Sequence, residues 1–574
     1  MMKKSNFLLL LFLLNGFVFY AQFNLERRWG AYLGNATLDK TSQAIDLEGN
    51  VYVAGRLRDF TTSSAINFIT TDAFQTTPGR GFVMKINSQG TVVWGTYING
   101  TVENIAIDTR DNQNEIVILG YANNDQVDGA TVIASPGAYQ AAMDGQGSLF
   151  LLKFDVNGNR IWGTYYNTGG IGINNSTSAL SLGIDSTGSI YFSHRAGYAT
   201  LGTVGTFQPT QNETNPTAIS KFSADGNKIW TTYYGINGSS VQSISINATG
   251  LFIKGNTKDC FPYNNPNTYF ATAGAYQPTT LGNCTTQYLS KFSFEGQRLW
   301  STYFKFLGFI KAGEGGVYLT SQFVTNPNLI TPGTFQQDSD ASSGYLGKFD
   351  DLGQRVWGTY VGLNGGVNAL GAELDVDVSG NVFLFGTTSH QSNIATTDGF
   401  LAVNPSFNNY SSGFAMKFNP SGQRLWGTYY GCGQDTYINS IMYAETGFYM
   451  LGTTICEEGI ATAGSVQSEY IVTPAPLVPF NTFVARFGPA PLSNDQNDFQ
   501  GITIFPNPNQ GVFTISNLKA PAVIEVYDML GKKVHEQNIN NNQEIRLHNV
   551  SKGIYFAKIG VGKELYRTEK MVVK

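Results

Sequence analysis

Seven tryptophans and no others stand in this chain, at Trp29, Trp94, Trp162, Trp230, Trp300, Trp357 and Trp426, with gaps of 65, 68, 68, 70, 57 and 69 residues. Each opens one phrase. It reads Trp-Gly-Thr-Tyr at Trp94, Trp162, Trp357 and Trp426, Trp-Gly-Ala-Tyr at Trp29, Trp-Thr-Thr-Tyr at Trp230 and Trp-Ser-Thr-Tyr at Trp300. A fixed period of this length marks a repeat architecture, and nothing else in the sequence narrows the fold as far.

Four short apolar stretches recur in each period. In the second they are 102–108, 115–121, 148–154 and 160–166, rich in β-branched and aromatic residues and bounded by Gly, Asn and Asp, as strands are. Gly90, Gly158, Gly226, Gly296, Gly353 and Gly422 each lie four residues before a tryptophan, where a tight hairpin needs positive φ. Four antiparallel strands per unit, repeated radially, make a β-propeller.

The third strand of each unit carries a basic residue: Lys85, Lys153, Lys221, Lys291, Lys348, Lys417 and Arg486. Arg486 has no tryptophan phrase after it, and Trp29 has no third strand before it. The sequence therefore predicts seven blades, the last completed by pairing 28–34 with 482–487, which removes the largest open edge. The tryptophans are expected to wedge neighbouring blades apart, each burying roughly 150–250 Å². At about 25 cal/mol per Å² that is at most about 4–6 kcal/mol apiece. Over residues 29–487 this pattern resembles the SBBP-type repeats of secreted bacterial seven-bladed propeller proteins. That resemblance implies a fold; a propeller hosts many activities.

The second-to-third connections are long, and a second phrase recurs in them: Ala73-Phe74-Gln75, Ala138-Tyr139-Gln140, Thr206-Phe207-Gln208, Ala275-Tyr276-Gln277 and Thr334-Phe335-Gln336, with weaker echoes at Phe400 and at Val466-Gln467. Recurrence in every unit favours an architectural clasp, its aromatic tucked beneath the loop. The fourth of these loops is the longest, and it carries Cys260, Phe261, Tyr263, Tyr269, Phe270 and Cys284. A small satellite core under the loop is the expected role of these aromatics; the alternative is that Phe261, Tyr263, Tyr269 and Phe270 stack on a ligand.

Residues 1–21 read as a signal peptide, with Lys3 and Lys4 before an apolar run too short to span a membrane. No later stretch of the mature chain reads as transmembrane. In an exported protein the four cysteines suggest disulfides, Cys260 with Cys284 and Cys432 with Cys456. A formal net charge of −5 offers no footprint for nucleic acid.

The propeller is expected over 22–487, and 488–499 reads as a linker. Residues 500–574 form a different module, with Phe505-Pro506-Asn507-Pro508, Gly511-Val512-Phe513, Gly553-Ile554-Tyr555-Phe556 and the ending Glu569-Lys570-Met571-Val572-Val573-Lys574. Its alternating apolar runs predict a small β-sandwich. It resembles the C-terminal (type A) sorting domain of type IX secretion cargo. The resemblance implies the type IX machinery as partner and an extracellular or outer-membrane-surface location.

The four histidines lack metal-ligand spacing. No phosphate-binding glycine loop or serine nucleophile elbow is present. No catalytic residue, metal site or cofactor is expected. The leading expectation is a secreted all-β propeller with a C-terminal sandwich, acting as a non-catalytic module for a glycan or protein ligand. Its rivals are an extracellular glycan-active enzyme, with acids such as Asp259, Glu457 and Glu458 on the long-loop face, and an adhesin or gliding-associated component.

Overall fold

The computed structural model describes all residues except 1–24, 35–37, 58–67, 124–131, 144–146, 170–179, 212–216, 237–238, 258–268, 280–285, 305–306, 322–328, 340–343, 363–367, 390–392, 407–409, 445–446, 473–479, 490–502, 519–520, 530, 549 and 562–564. The expected signal peptide and nearly all of the linker lie outside the described residues. Among the described residues the chain is all-β, with one 3-10 turn at Arg110–Asn112 and no α-helix. No helix is long and apolar enough to cross a membrane. The chain divides into two compact units, 1–489 and 490–574.

The first unit holds seven four-stranded antiparallel sheets. Six are built from consecutive strands and span 38–98, 101–166, 181–233, 240–304, 307–361 and 368–430; they are sheets 1 to 6. In sheet 2 the strands are Thr101–Asp108, Glu115–Ala122, Ser148–Phe154 and Arg160–Tyr166. Sheet 7 combines Thr436–Ala444, Gly447–Thr454 and Asn481–Pro489 with Leu25–Tyr32 from the other end of the unit. The register sets Trp29 opposite Arg486 and Tyr32 opposite Phe483.

The first strand of each sheet packs against the first strand of the next, and that of sheet 7 packs against that of sheet 1. Polar side chains stitch these inner strands together. Asn104 donates to the Leu180 carbonyl, and the Ser181 hydroxyl accepts from the Ile244 N–H. Ser245 accepts from the Ala312 N–H, Lys311 pairs with Asp375 at 2.7 Å, and Asp375 accepts from the Tyr443 N–H. Gln43 of sheet 1 donates to Ser440 of sheet 7 at 2.9 Å.

The tryptophans sit between sheets, each on the hairpin of the sheet that follows. The indole N–H donates to a turn carbonyl there: Trp94 to Val156, Trp162 to Ala224, Trp230 to Phe294, Trp300 to Asp351 and Trp357 to Pro420, at 2.7–3.0 Å. Trp29 does the same to Ser88 of sheet 1, at 2.9 Å. The turn glycines are thus required twice over. They hold φ of +77° to +86°, and a Cβ at any of them would lie 2.8–3.3 Å from the preceding indole. Trp426 is the exception, because sheet 7 has no hairpin between its third and fourth strands. Its fully buried indole lies 3.4 Å from the Asp398 carbonyl of its own sheet.

The basic residues of the third strands are structural. Lys85, Lys221, Lys291, Lys348 and Lys417 lie 4.9–5.2 Å over the rings of Tyr52, Tyr191, Phe252, Tyr318 and Phe383 on the adjacent strand. In sheet 2 that place is Val117, and Lys153 instead pairs with Asp108 at 2.8 Å.

The second unit has a three-stranded sheet, Thr503–Phe505, Val512–Ser516 and Glu544–Arg546. Its four-stranded sheet takes Lys533–Ile539, Ala522–Asp528, Gly553–Val561 and Leu565–Val573 in that order. Phe513 and Ile515 from the first sheet share a core with Ile524, Val526, Ala557, Ile559 and Met571 from the second.

Candidate functional site

The loop phrase and the tryptophan phrase are two halves of one device. In each sheet the second-to-third connection returns along the outer strand. A Thr or Ser N–H donates to the carbonyl of the residue after tryptophan, as Thr70 to Gly95, Ser135 to Gly163, Thr272 to Ser301 and Thr462 to Gly30. Four residues later the aromatic appears, and then the carbonyl of the next residue accepts the N–H of the phrase tyrosine. Gln75 serves Tyr97, Gln140 Tyr165, Gln208 Tyr233, Gln277 Tyr303, Gln336 Tyr360, Leu401 Tyr429 and Gln467 Tyr32. The phrase threonine accepts from the same clasp residue, as Thr96 from the Gln75 N–H and Thr359 from the Gln336 N–H. The glycine after tryptophan leaves room for the loop: a Cβ at Gly95 would lie 2.1 Å from the Phe68 carbonyl oxygen.

The clasp aromatic reaches forward onto the third strand of the next sheet. Phe74 meets Phe154, Tyr139 meets Phe222, Phe207 meets Phe292, Tyr276 meets Phe349, Phe335 meets Phe418 and Phe400 meets Phe487, all edge-to-face at 5.1–5.8 Å. A guanidinium from the outer strand of that next sheet covers the ring at four of these junctions, Arg160 over Phe74, Arg298 over Phe207, Arg424 over Phe335 and Arg27 over Phe400, at 4.4–5.4 Å. Edge-to-face rings and cation–π pairs each add about 0.5–1.5 kcal/mol beyond the area buried.

The seventh junction, from sheet 7 to sheet 1, keeps the clasp and loses the filling. Val466 stands where the aromatic stands elsewhere, Ile86 replaces the receiving phenylalanine, and Val92 replaces the basic residue two before tryptophan. Ala31 also replaces the phrase threonine. A groove of about 610 Å³ opens there, lined by Phe68, Ile69, Val92, Val466 and Tyr470, with Glu469 among its polar groups. Ser465 also lines it, and its hydroxyl oxygen is buried with no hydrogen-bond partner.

The candidate ligand-stacking residues fare differently. Phe270 is fully buried, lying parallel on Tyr288 at 3.8 Å, as the satellite-core reading has it; the alternative role as an exposed stacking residue is corrected. The cause is its place in the clasp, two residues before Thr272. Phe68, Ile133, Leu201, Ile394 and Ile460 hold the same place before Thr70, Ser135, Thr203, Thr396 and Thr462, and all are buried. Tyr269 is half-buried, its hydroxyl donating to Gln208 and its ring 5.5 Å from Arg298. Phe261, Tyr263, Cys260, Cys284 and Asp259 lie outside the described residues. Cys432 and Cys456 form a disulfide with Cα atoms 5.9 Å apart. Glu457 and Glu458 are exposed.

The sequence reading does not single out Glu373 or Lys254, and it expects His194 at the surface or a strand end, whereas the structure buries it. Burial pushes the Glu373 carboxyl, on the inner strand of sheet 6, up to about 8, with no hydrogen bond or ion pair to it among the described residues. Burial likewise draws the Lys254 amine down to about 8; it lies 5.8 Å over the Phe309 ring. His194 is buried against Tyr166, its Nε2 2.8 Å from the Ser220 hydroxyl, and burial lowers it to about 4.

Residues 503–574 match the secretion system C-terminal sorting domain. The tail marks the chain for the type IX secretion machinery and for export to the cell surface or extracellular space. Three solved structures with a similar course are a protein of unknown function from Dyadobacter fermentans, PorZ of Porphyromonas gingivalis and the endosialidase of phage phi92. The first is 7% identical with a TM-score of 0.33, covering 81% of this chain and 100% of its own. PorZ, a surface component of the type-IX secretion system, is 12% identical with a TM-score of 0.21, covering 94% and 75%. The endosialidase is 11% identical with a TM-score of 0.31, covering 96% and 87%. None transfers an activity to this chain at such values. No curated protein matches the sequence.

Proposed function

We propose that the first unit is a seven-bladed β-propeller, closed by Leu25–Tyr32, and that after export it works as a non-catalytic binding module for an extracellular glycan or protein. The closure is supported by the pairing of Trp29 with Arg486 and by the seat of Trp29 on Ser88. The observation that carries the binding reading is the groove of about 610 Å³ at a junction whose six counterparts are packed with rings. Concave sites of about 300–1,000 Å³ with a few polar groups are where ligands bind. The test is a glycan array and a surface-protein overlay on the mature chain, with hydrolysis and lyase assays in parallel. Retention without turnover supports the reading, and turnover of any polysaccharide overturns it.

The enzyme reading has one observation in its favour. Glu373, with no hydrogen bond or ion pair among the described residues, is raised by burial to about 8, the kind of shift that suits a general acid. It would require glycan turnover abolished by Glu373→Gln.

A further inference from the structure

We propose that the groove at the seventh junction takes a tyrosine side chain of a partner polypeptide, presented beside a basic residue. This rests on the binding reading above and names its ligand.

The fold itself supplies the template. The backbone frame is the same here as at the filled junctions. Thr462 donates to the Gly30 carbonyl, Ser465 to Thr462 and Tyr32 to Gln467, as at every other clasp. What differs is side chains at three positions that are far apart in sequence, Val466, Ile86 and Val92: Val466 and Val92 line the groove and pack against the core cluster that contains the buried Ile86. At six junctions the equivalent space holds a phenylalanine or tyrosine ring. A frame of that shape, with its own ring removed and Phe68, Ile69, Val92 and Tyr470 along its walls, fits a ring brought from outside.

Two polar groups narrow the choice of ring. Ser465 lines the groove, and its buried oxygen has no hydrogen-bond partner among the described residues; a phenol seated in the groove could pair it after a small shift of its cover, which a phenyl ring could not. Where Arg160, Arg298, Arg424 and Arg27 cover the ring at other junctions, this one has Val92 and, on the loop, the exposed Glu469. The cation that accompanies the ring elsewhere is absent from the wall, and a carboxylate stands ready to receive one from the partner.

The experiment uses the mature full-length chain and three probes: N-acetyltyrosinamide, the dipeptide amide N-acetyl-Tyr-Arg, and methyl β-glucopyranoside. Binding is followed by saturation-transfer NMR and titration. We expect the dipeptide to bind with a millimolar or better Kd, severalfold tighter than the single residue, and Glu469→Gln to erase that preference. Val466→Phe plugs the groove with the ring the other junctions carry and should weaken both tyrosine probes at least about tenfold without lowering the melting temperature. Should Val466→Phe disturb the fold, Val92→Arg narrows the same groove from the opposite wall. Tyrosine probes that bind Val466→Phe and Val92→Arg as they bind the parent overturn the proposal. So does absence of binding at about 10 mM, or preference for the pyranoside. A ligand found on the arrays but indifferent to Val466→Phe would sink this site while leaving the binding reading intact.

Discussion

Six junctions between sheets are filled with rings, and the seventh is not. At the junction of sheets 5 and 6, Phe335 lies between Phe418 and Arg424. At the junction of sheets 7 and 1 the same three stations hold Val466, Ile86 and Val92. The backbone clasp hydrogen bonds correspond between the two; the threonine hydroxyl bond of the filled junction, Thr359 with Gln336, is lost where Ala31 stands. Frame and filling are therefore separable: the backbone bonds set where the loop runs, and the side chains decide whether a junction is core or groove. A repeat protein gains a site most simply by withholding the filling at one repeat.

The largest expected effect compares two tryptophans. Trp94 is seated on sheet 2 and touches Phe154 at 6.4 Å, while Trp29 sits against Gly90, which lines the groove. Trp94→Ala should cost about 4 kcal/mol and Trp29→Ala visibly less, read from denaturant midpoints. Equal losses would mean the seventh junction is as tightly packed as the others.

The disulfide between Cys432 and Cys456 closes a loop of sequence separation 24 beside sheet 7. Reduction should lower stability by about 3 kcal/mol, the chain-entropy value for such a loop. Exchange protection should fall first in 436–454 and last in sheets 2 and 3, which lie far from it in sequence.

Acid should act on a filled junction, that of sheets 2 and 3. His194 is buried between sheets 2 and 3, and burial lowers its folded-state value from 6.5 to about 4. The unfolded chain therefore binds the proton more readily. Stability is whole above about pH 6.5 and falls as pH drops toward 4, by at most about 3 kcal/mol. Melting of His194→Gln should be flatter across that window. A parent chain whose melting temperature is level from pH 7 to 4.5 would show that His194 is not held neutral.

The smallest effect compares the two clasps directly. Phe335→Ala should cost about 2–3 kcal/mol, because the ring is half-buried, and Val466→Ala about 1 kcal/mol. Matching losses at the two positions would erase the distinction between them.

The strand pattern was legible because the period fixes tryptophan, turn glycine and third-strand lysine at constant offsets. The threonine and tyrosine of the phrase were visible, but their purpose was not, since the clasp that they hold arrives from about 20 residues earlier. For Phe270 two readings stayed open, core or exposed stacker, because an aromatic in a long loop can serve as either. Its spacing to Thr272, shared with Phe68 and Thr70 or Ile460 and Thr462, was the available signal. The groove was written in the sequence as three separate exceptions, and only the meeting of sheet 7 with sheet 1 makes them one site. Glu373 and Lys254 carry no local mark, because desolvation depends on neighbours from other strands.

The account depends on the amino-terminal strand serving both sheet 7, by pairing, and sheet 1, through Trp29. Amide exchange on the mature chain and on one beginning at residue 35 tests this directly. Loss of 22–34 should raise exchange in Asn481–Pro489 and also in Gly81–Ile86, with a fall in melting temperature of several degrees. Unchanged exchange at Gly81–Ile86 would contradict the link between the last sheet and the first.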